Sequence, residues 1–231
     1  LFVTFSDWSF AWLIYRANQK GKLTLKNTNT INKAITGNGT TTNTGTLNIS
    51  ADNLQLALEN NGALNLGSGT LGAIISGDGT TKITGTVTNN ATIGNDVEIT
   101  TGNSLTSSIS NLTKKITNNA TFITSGFLNK AIAGIGTTQL DLDLTMREGA
   151  SVVGTLDLNG KTVTMHNDDK TLAYNVGTLK GNGNVEIDVK CRVKTDSDVE
   201  KYITNIAEIT KYKAYNGDVI SSDRECRACT M

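Results

Sequence analysis

Proline is absent from these 231 residues and histidine occurs once. The first absence suits uninterrupted strand pairing, because proline removes a ladder donor. The second excludes a multi-histidine metal centre. Aromatic residues make up 5% of the chain and all hydrophobic residues 37%, thin provision for a conventional globular core. Lys plus Arg and Asp plus Glu each number 21, giving a formal net charge of zero. That balance lacks the basic footprint of a binder of nucleic acid or anionic membranes. No apolar run is long enough for a helix to span a membrane. The cysteines, Cys191, Cys226 and Cys229, are too few and odd in number for a disulfide scaffold.

What the chain has is 36 Thr, 26 Asn and 23 Gly. Residues 1–22 hold both Trp and half of all aromatics, Phe2, Phe5, Trp8, Phe10, Trp12 and Tyr15. They are expected to form an aromatic N-terminal cap on a β-architecture. From 23 to 190 the text is short alternating runs, such as Lys82-Ile83-Thr84-Gly85-Thr86-Val87-Thr88 and Val185-Glu186-Ile187-Asp188-Val189. Period-two alternation with β-branched residues predicts strands with one face buried. Gly-Asn, Asn-Gly and Asn-Asn pairs between them are turn formers. Residues 191–231 form a charged, Cys-containing tail that continues the pattern less clearly. There, Val199, Tyr202, Ile203, Ile206 and Ile209 fit a helix, while 201–206 and 208–212 fit two strands equally well.

Internal repeats decide the type of all-β fold. Asn60-Asn61-Gly62-Ala63 is echoed at equal intervals by Asn89-Asn90-Ala91-Thr92 and Asn118-Asn119-Ala120-Thr121, and more weakly from Arg147. A second element, Gly-x-Gly-Thr-Thr, starts at Gly37, Gly77 and Gly134, with a partial copy at Gly181, and its intervals are unequal. An apolar residue precedes each copy by two positions: Ile35, Ile75, Ile132 and Leu179. Imperfect repeats of this length predict a solenoid, whose coils bury an apolar face only by stacking. Asn60, Asn89 and Asn118 are expected to stack as an internal ladder. Their interval exceeds a bare three-strand coil, and loops are expected to make up the excess. A β-sandwich leaves the equal Asn-Asn spacing unexplained, and Leu54, Leu56 and Leu58 do not recur as a leucine-rich repeat would.

The stretches "ISGDGTTKITGTVTNNATIGNDVEIT" and "MREGASVVGTLDLNGKTVTM" resemble the passenger domains of bacterial autotransporters. The resemblance covers about residues 23–190. It implies a right-handed parallel β-helix carried to the cell surface by a C-terminal outer-membrane barrel that lies outside these 231 residues. The Cys-containing tail departs from that pattern.

No sharp catalytic signature accompanies these repeats. His166, in Met165-His166-Asn167, is a lone imidazole without a nucleophile elbow anywhere in the chain. Cys226 and Cys229 form one close pair, and a structural zinc site requires four ligands. The Gly-x-Gly-Thr-Thr units lack a following helix or Gly-Lys-[Ser/Thr], so they read as turns rather than phosphate cradles. Asn-x-[Ser/Thr] matches at Asn38, Asn48, Asn90, Asn111 and Asn119 are expected by chance in this composition. The enzyme alternative rests on Asp141 and Asp143, two apart on one strand face about 7 Å from each other, with Asp157, Arg147 and Lys161 nearby. Some parallel β-helices are polysaccharide lyases or hydrolases that use such carboxylates; otherwise alternating Asp marks the wet side of a strand. Thr-x-Thr pairs at Thr44/Thr46, Thr84/Thr86/Thr88 and Thr162/Thr164 are irregularly spaced, against an ice-organising array.

Taken together the sequence predicts a β-solenoid without cofactor or metal, acting as a surface-exposed passenger. Its expected partners are glycans, a host or neighbouring cell surface, or a second copy. Contact with the outer membrane is expected only through the barrel. A structural stalk is the further alternative.

Overall fold

The computed structural model describes residues 2–5, 16–17, 22–37, 39–167, 175–189, 212–213 and 219–220, with side chains placed over 22–37, 39–165 and 176–186. The aromatic cap, the helix-or-strands question over 198–215 and the cysteines fall outside the described residues or side chains. The chain divides into two units, 1–190 and 191–231. In the second, Tyr212–Lys213 pairs antiparallel with Val219–Ile220.

The first unit is a parallel β-solenoid of about nine turns with almost no helix, as the repeats predict. Its first face stacks Phe2–Phe5, Lys22–Leu25, Thr40–Asn43, Leu58–Asn60 and Ile75–Ser76, and single bridges continue it through Ile93 to Leu112. The second face stacks Thr28–Ile31, Thr46–Ser50, Ala63–Gly67, Thr80–Ile83, Asp96–Ile99, Ile116–Asn118 and Ala131–Ala133. It then runs on through 151–152 and 175–176. The third face stacks Gly69–Leu71, Thr86–Asn89 and Ser104–Ser107, then 121–124, 137–140, 155–157 and 178–180. In the upper turns long strands bend past the third face, so that 126–128, 144–146, 163–165 and 185–187 form a further line. His166 lies within the strand Thr162–Asn167, its backbone opposite Asp188.

Stacking aligns inward residues into columns. On the second face Leu47, Leu64, Thr81, Val97, Ile116, Ile132 and Val152 sit one over another, all buried. Beside them run Ile31, Ile49, Leu66, Ile83, Ile99 and Asn118, also buried. Each fully buried Leu or Ile contributes about 1.5–3 kcal/mol, so many short strands build a core that no single turn has. Thr41 and Thr124 bury hydroxyls with no partner among the described residues.

The turn length overturns one expectation. Asn43 and Asn60, paired on the first face, are 17 positions apart, and Asn89 and Ser107, paired on the third, are 18 apart. The interval between the Asn-Asn repeats is therefore more than one turn and less than two, with no loop needed to fill it. Asn60 ends a first-face strand, Asn89 a third-face strand and Asn118 a second-face strand. These three asparagines occupy three different corners and do not stack on one another. Asn60 lies opposite Asn43, Asn89 between Leu71 and Ser107, and Asn118 opposite Ile99.

Gly-x-Gly-Thr-Thr is a corner unit too, and it serves whichever corner it falls on. It opens strands on the first face at Thr40, the second at Thr80 and the third at Thr137, which is why its spacings are unequal. Gly134 has φ 93°, a left-handed region that L side chains rarely adopt. A Cβ there would also stand 2.2 Å from the Asn118 carbonyl oxygen. Gly67 by contrast leaves ordinary room, its Cβ position 3.6 Å from Ser50 Cα. Gly134→Ala is expected to lower stability by about 1–3 kcal/mol, and Gly67→Ala to leave it unchanged or raise it by about 0.4–1 kcal/mol. Thermal melts of the two variants check this; equal shifts would contradict it.

Candidate functional site

The corner asparagines turn their amides inward. Asn43, Asn89 and Asn118 each accept, on Oδ1, the backbone N–H two residues on, from Gly45 (3.2 Å), Ala91 (3.1 Å) and Ala120 (3.1 Å). This is the local Asx turn that asparagine makes with its own backbone. Their amide nitrogens bond upward into the next turn. Asn43 Nδ2 donates to Asn60 Oδ1 at 2.7 Å, and Asn60 Nδ2 to Asn95 Oδ1 at 3.0 Å. Asn95 Nδ2 in turn donates to the Gly77 carbonyl at 2.8 Å, and Thr81 Oγ1 donates to Asn95 Oδ1 at 3.2 Å. Asn43, Asn60 and Asn95 are fully buried. Asn95 thus reaches across the rung of Gly77 to the asparagine of the turn below it. At the other corners Asn89 donates to Ser107 Oγ at 2.9 Å, and Asn118 to the Thr137 carbonyl at 3.0 Å.

Asp141 and Asp143 lie where the strand Thr137–Met146 loses regular pairing. Between the pairs Thr124–Leu140 and Gly126–Leu144, the single residue Ser125 stands against three, Asp141, Leu142 and Asp143. The result is a bulge, and all three of its residues are exposed. Asp143 Oδ1 accepts the Thr162 N–H at 2.8 Å and Asp141 Oδ1 that of Leu142 at 3.0 Å. Asp157, opposite Gln139 on the next strand, accepts the Asn159 N–H at 3.1 Å and pairs with Lys180 at 3.3 Å. Asp141 and Asp157 thus engage backbone within two residues, while Asp143 ties its strand to the start of the next turn's. The Arg147 guanidinium lies 4.4 Å from the Phe127 ring centroid, a cation–π contact. No group of three or more His, Cys, Asp or Glu that would hold a metal occurs among the described residues.

Other charges bridge turns. Lys82 pairs with Glu98 at 3.5 Å across the outer second face. Lys114 meets Asp78 at 2.8 Å, and that hydrogen bond and positive charge hold the Asp78 carboxyl below the usual carboxylate range. Lys130 donates to the Leu112 carbonyl at 2.5 Å, and burial pushes the pKa of its ammonium down.

The outer side of the third face is laid out more regularly than the spacing of its residues in the chain implies. Thr86, Ser104, Thr121, Thr137, Thr155 and Thr178 stand opposite one another on six successive rungs. One turn below, Ser68 Oγ accepts the Thr86 N–H at 3.1 Å. Beside this column run Thr70, Thr88 and Thr106, then Ile123, Gln139, Asp157 and Lys180. Rungs lie about 4.8 Å apart, so the six hydroxyls span about 24 Å. None of the six is taken up by another described side chain.

No family model, no curated protein and no solved structure matches the chain. The sequence reading missed the hydroxyl column because its intervals vary, and only pairing register aligns it. It missed Asn43 and Asn95 as partners of Asn60, although Asn43-Thr44-Gly45 lies one turn before Asn60-Asn61-Gly62 and carries the same turn chemistry.

Asn60→Ala removes three amide hydrogen bonds, to Asn43, to Asn95 and to the Thr80 carbonyl, at about 0.5–1.5 kcal/mol for each bond lost. Asn65→Ala, on the half-exposed outer face, is expected to lose under about 1 kcal/mol. Denaturant titration of the two variants measures the difference; comparable losses would show that the buried amides are not what hold the corner.

Proposed function

We propose that the chain is part of the non-enzymatic passenger of an autotransporter-like protein at a bacterial cell surface. It acts in adhesion or self-association through the outer faces of its solenoid. The observation that carries this reading is the six-rung hydroxyl column from Thr86 to Thr178, with its neighbours Thr70, Thr88 and Thr106. Each hydroxyl both donates and accepts, and each exposed hydrogen bond is worth about 0.5–1.5 kcal/mol net. Weak contacts repeated along one rigid axis act together once the first is made, since later ones form at high effective concentration. The engagement of Asp141, Asp143 and Asp157 with backbone N–H groups favours this reading over a carbohydrate-cleaving one. The stylistic resemblance of residues 23–190 to autotransporter passengers supports the location.

The test is the triple variant Thr121→Val, Thr137→Val and Thr155→Val, displayed in the whole protein on cells. Valine keeps the β-branched shape that strands favour, so the fold and melting temperature should persist. Adhesion or clumping should fall at least tenfold. Unchanged adhesion by a folded variant would overturn the role of this face, and unchanged adhesion on deleting 23–190 would leave only a spacer.

A further inference from the structure

We infer that the outer second face carries a binding site for a neutral sugar unit, in the groove above Gly67. This rests on the adhesion reading and names one ligand class and its place. The groove is open to solvent and offers about 310 Å³, at the small end of ligand sites, which suits one or two sugar rings.

Its concavity has a simple origin. Ser50, Gly67 and Thr84 each follow an inward residue, Ile49, Leu66 and Ile83, and so occupy outward positions on successive rungs. Glycine at the middle rung leaves a notch between two hydroxyl-bearing neighbours. Along one side runs a relay of amides. Asn65 Nδ2 donates to Asn48 Oδ1 at 2.7 Å, and Asn48 Nδ2 donates to Thr30 Oγ1 at 3.2 Å. The relay fixes both amide planes, and Asn65 Oδ1 accepts from no described residue. Asn32 and Asn53 complete the polar lining.

The lining selects the ligand by what it contains. It holds amides and hydroxyls, two buried isoleucines and no charged or aromatic side chain. Lys82, on the rung above Asn65, is paired with Glu98. Convergent neutral donors and acceptors around a shallow concavity fit the vicinal hydroxyls of an uncharged sugar. The hydroxyl column begins at Ser68, the residue after Gly67, so a chain bound in the groove has further hydroxyls within reach around the corner.

The experiment uses the full chain and an array of neutral oligosaccharides with glucose, galactose, mannose or N-acetylglucosamine ends, alongside sialylated and sulfated counterparts. Binding to at least one neutral probe is expected, with no preference for the anionic ones. Gly67→Val fills the notch at a position with ordinary room, so the melting temperature should hold while affinity for that probe falls at least tenfold. Asn65→Ala should fall likewise, and Thr101→Val, at an exposed turn outside both the groove and the hydroxyl column, should leave short-probe affinity unchanged. Absence of neutral binding, a preference for anionic probes, or full affinity in Gly67→Val would each overturn the site. If cells bearing Gly67→Val lose sugar binding yet still adhere, adhesion runs through another surface and only this site's role in it fails. If wild-type cells do not adhere at all, the adhesion reading itself fails.

Discussion

In-register stacking of one turn on the next is the constraint on which everything else in this molecule depends. A single turn offers two or three inward residues per face and has no core. Only when Leu47 lies beneath Leu64, and Leu64 beneath Thr81, does each apolar side chain find contact above and below. A slip of one residue would turn every inward side chain outward. The turn length therefore stays between 16 positions, at Thr80 opposite Asp96 (96 − 80), and 20, at Ala131 opposite Ser151 (151 − 131), through these turns, and the corners enforce it. Glycine permits the backbone reversal, and a buried asparagine ties each corner to the turn above. The interior amides act as register pins, because an amide displaced by one rung would be buried without a partner.

The same constraint explains which parts of the fold are legible in the sequence. Alternation in runs such as Lys82 to Thr88 gives strands, and the recurrence of turn chemistry gives a solenoid. Strands and architecture follow from local pattern alone. Register does not, because Asn-x-[Gly/Ala] and Gly-x-Gly-Thr-Thr are corner units, and a three-sided coil offers three equivalent corners. A repeat that moves from the first face at Asn60 to the third at Asn89 and the second at Asn118 returns at equal intervals without marking a coil. The bulge at Asp141-Leu142-Asp143 was hidden for a related reason. Nothing in an alternating Asp-Leu-Asp-Leu text announces that its partner strand is two residues short there.

Candidate sites were less legible than the fold because their residues are chemically ordinary. Thr86, Ser104, Thr121, Thr137, Thr155 and Thr178 are common strand residues, separated by intervals that differ from one turn to the next. They become a surface only through pairing. The groove at Gly67 depends on a missing side chain between Ser50 and Thr84, a feature with no motif. Carboxylates attract notice in a sequence, yet here Asp141, Asp143 and Asp157 hold backbone N–H groups beside the bulge and at a turn. A solenoid that builds its core from stacking leaves its outer faces free to vary, and any ligand recognition is then written across rungs rather than along the chain.

The most direct test compares two internal deletions. Removing 44–60 joins Asn43 to Asn61, and because Asn43 and Asn60 are register partners on successive rungs, it takes out one whole turn. Removing 61–89 joins Asn60 to Asn90 and takes out one full interval of the Asn-Asn repeat, which is not a whole number of turns. Both leave an Asn-Asn-[Gly/Ala] junction intact. The first should keep a β-type circular dichroism spectrum and a cooperative thermal transition close to that of the parent. The second moves every later strand onto the wrong face and should lose cooperative unfolding. Equal tolerance of both deletions, or a cooperative fold only in the longer one, would contradict the account.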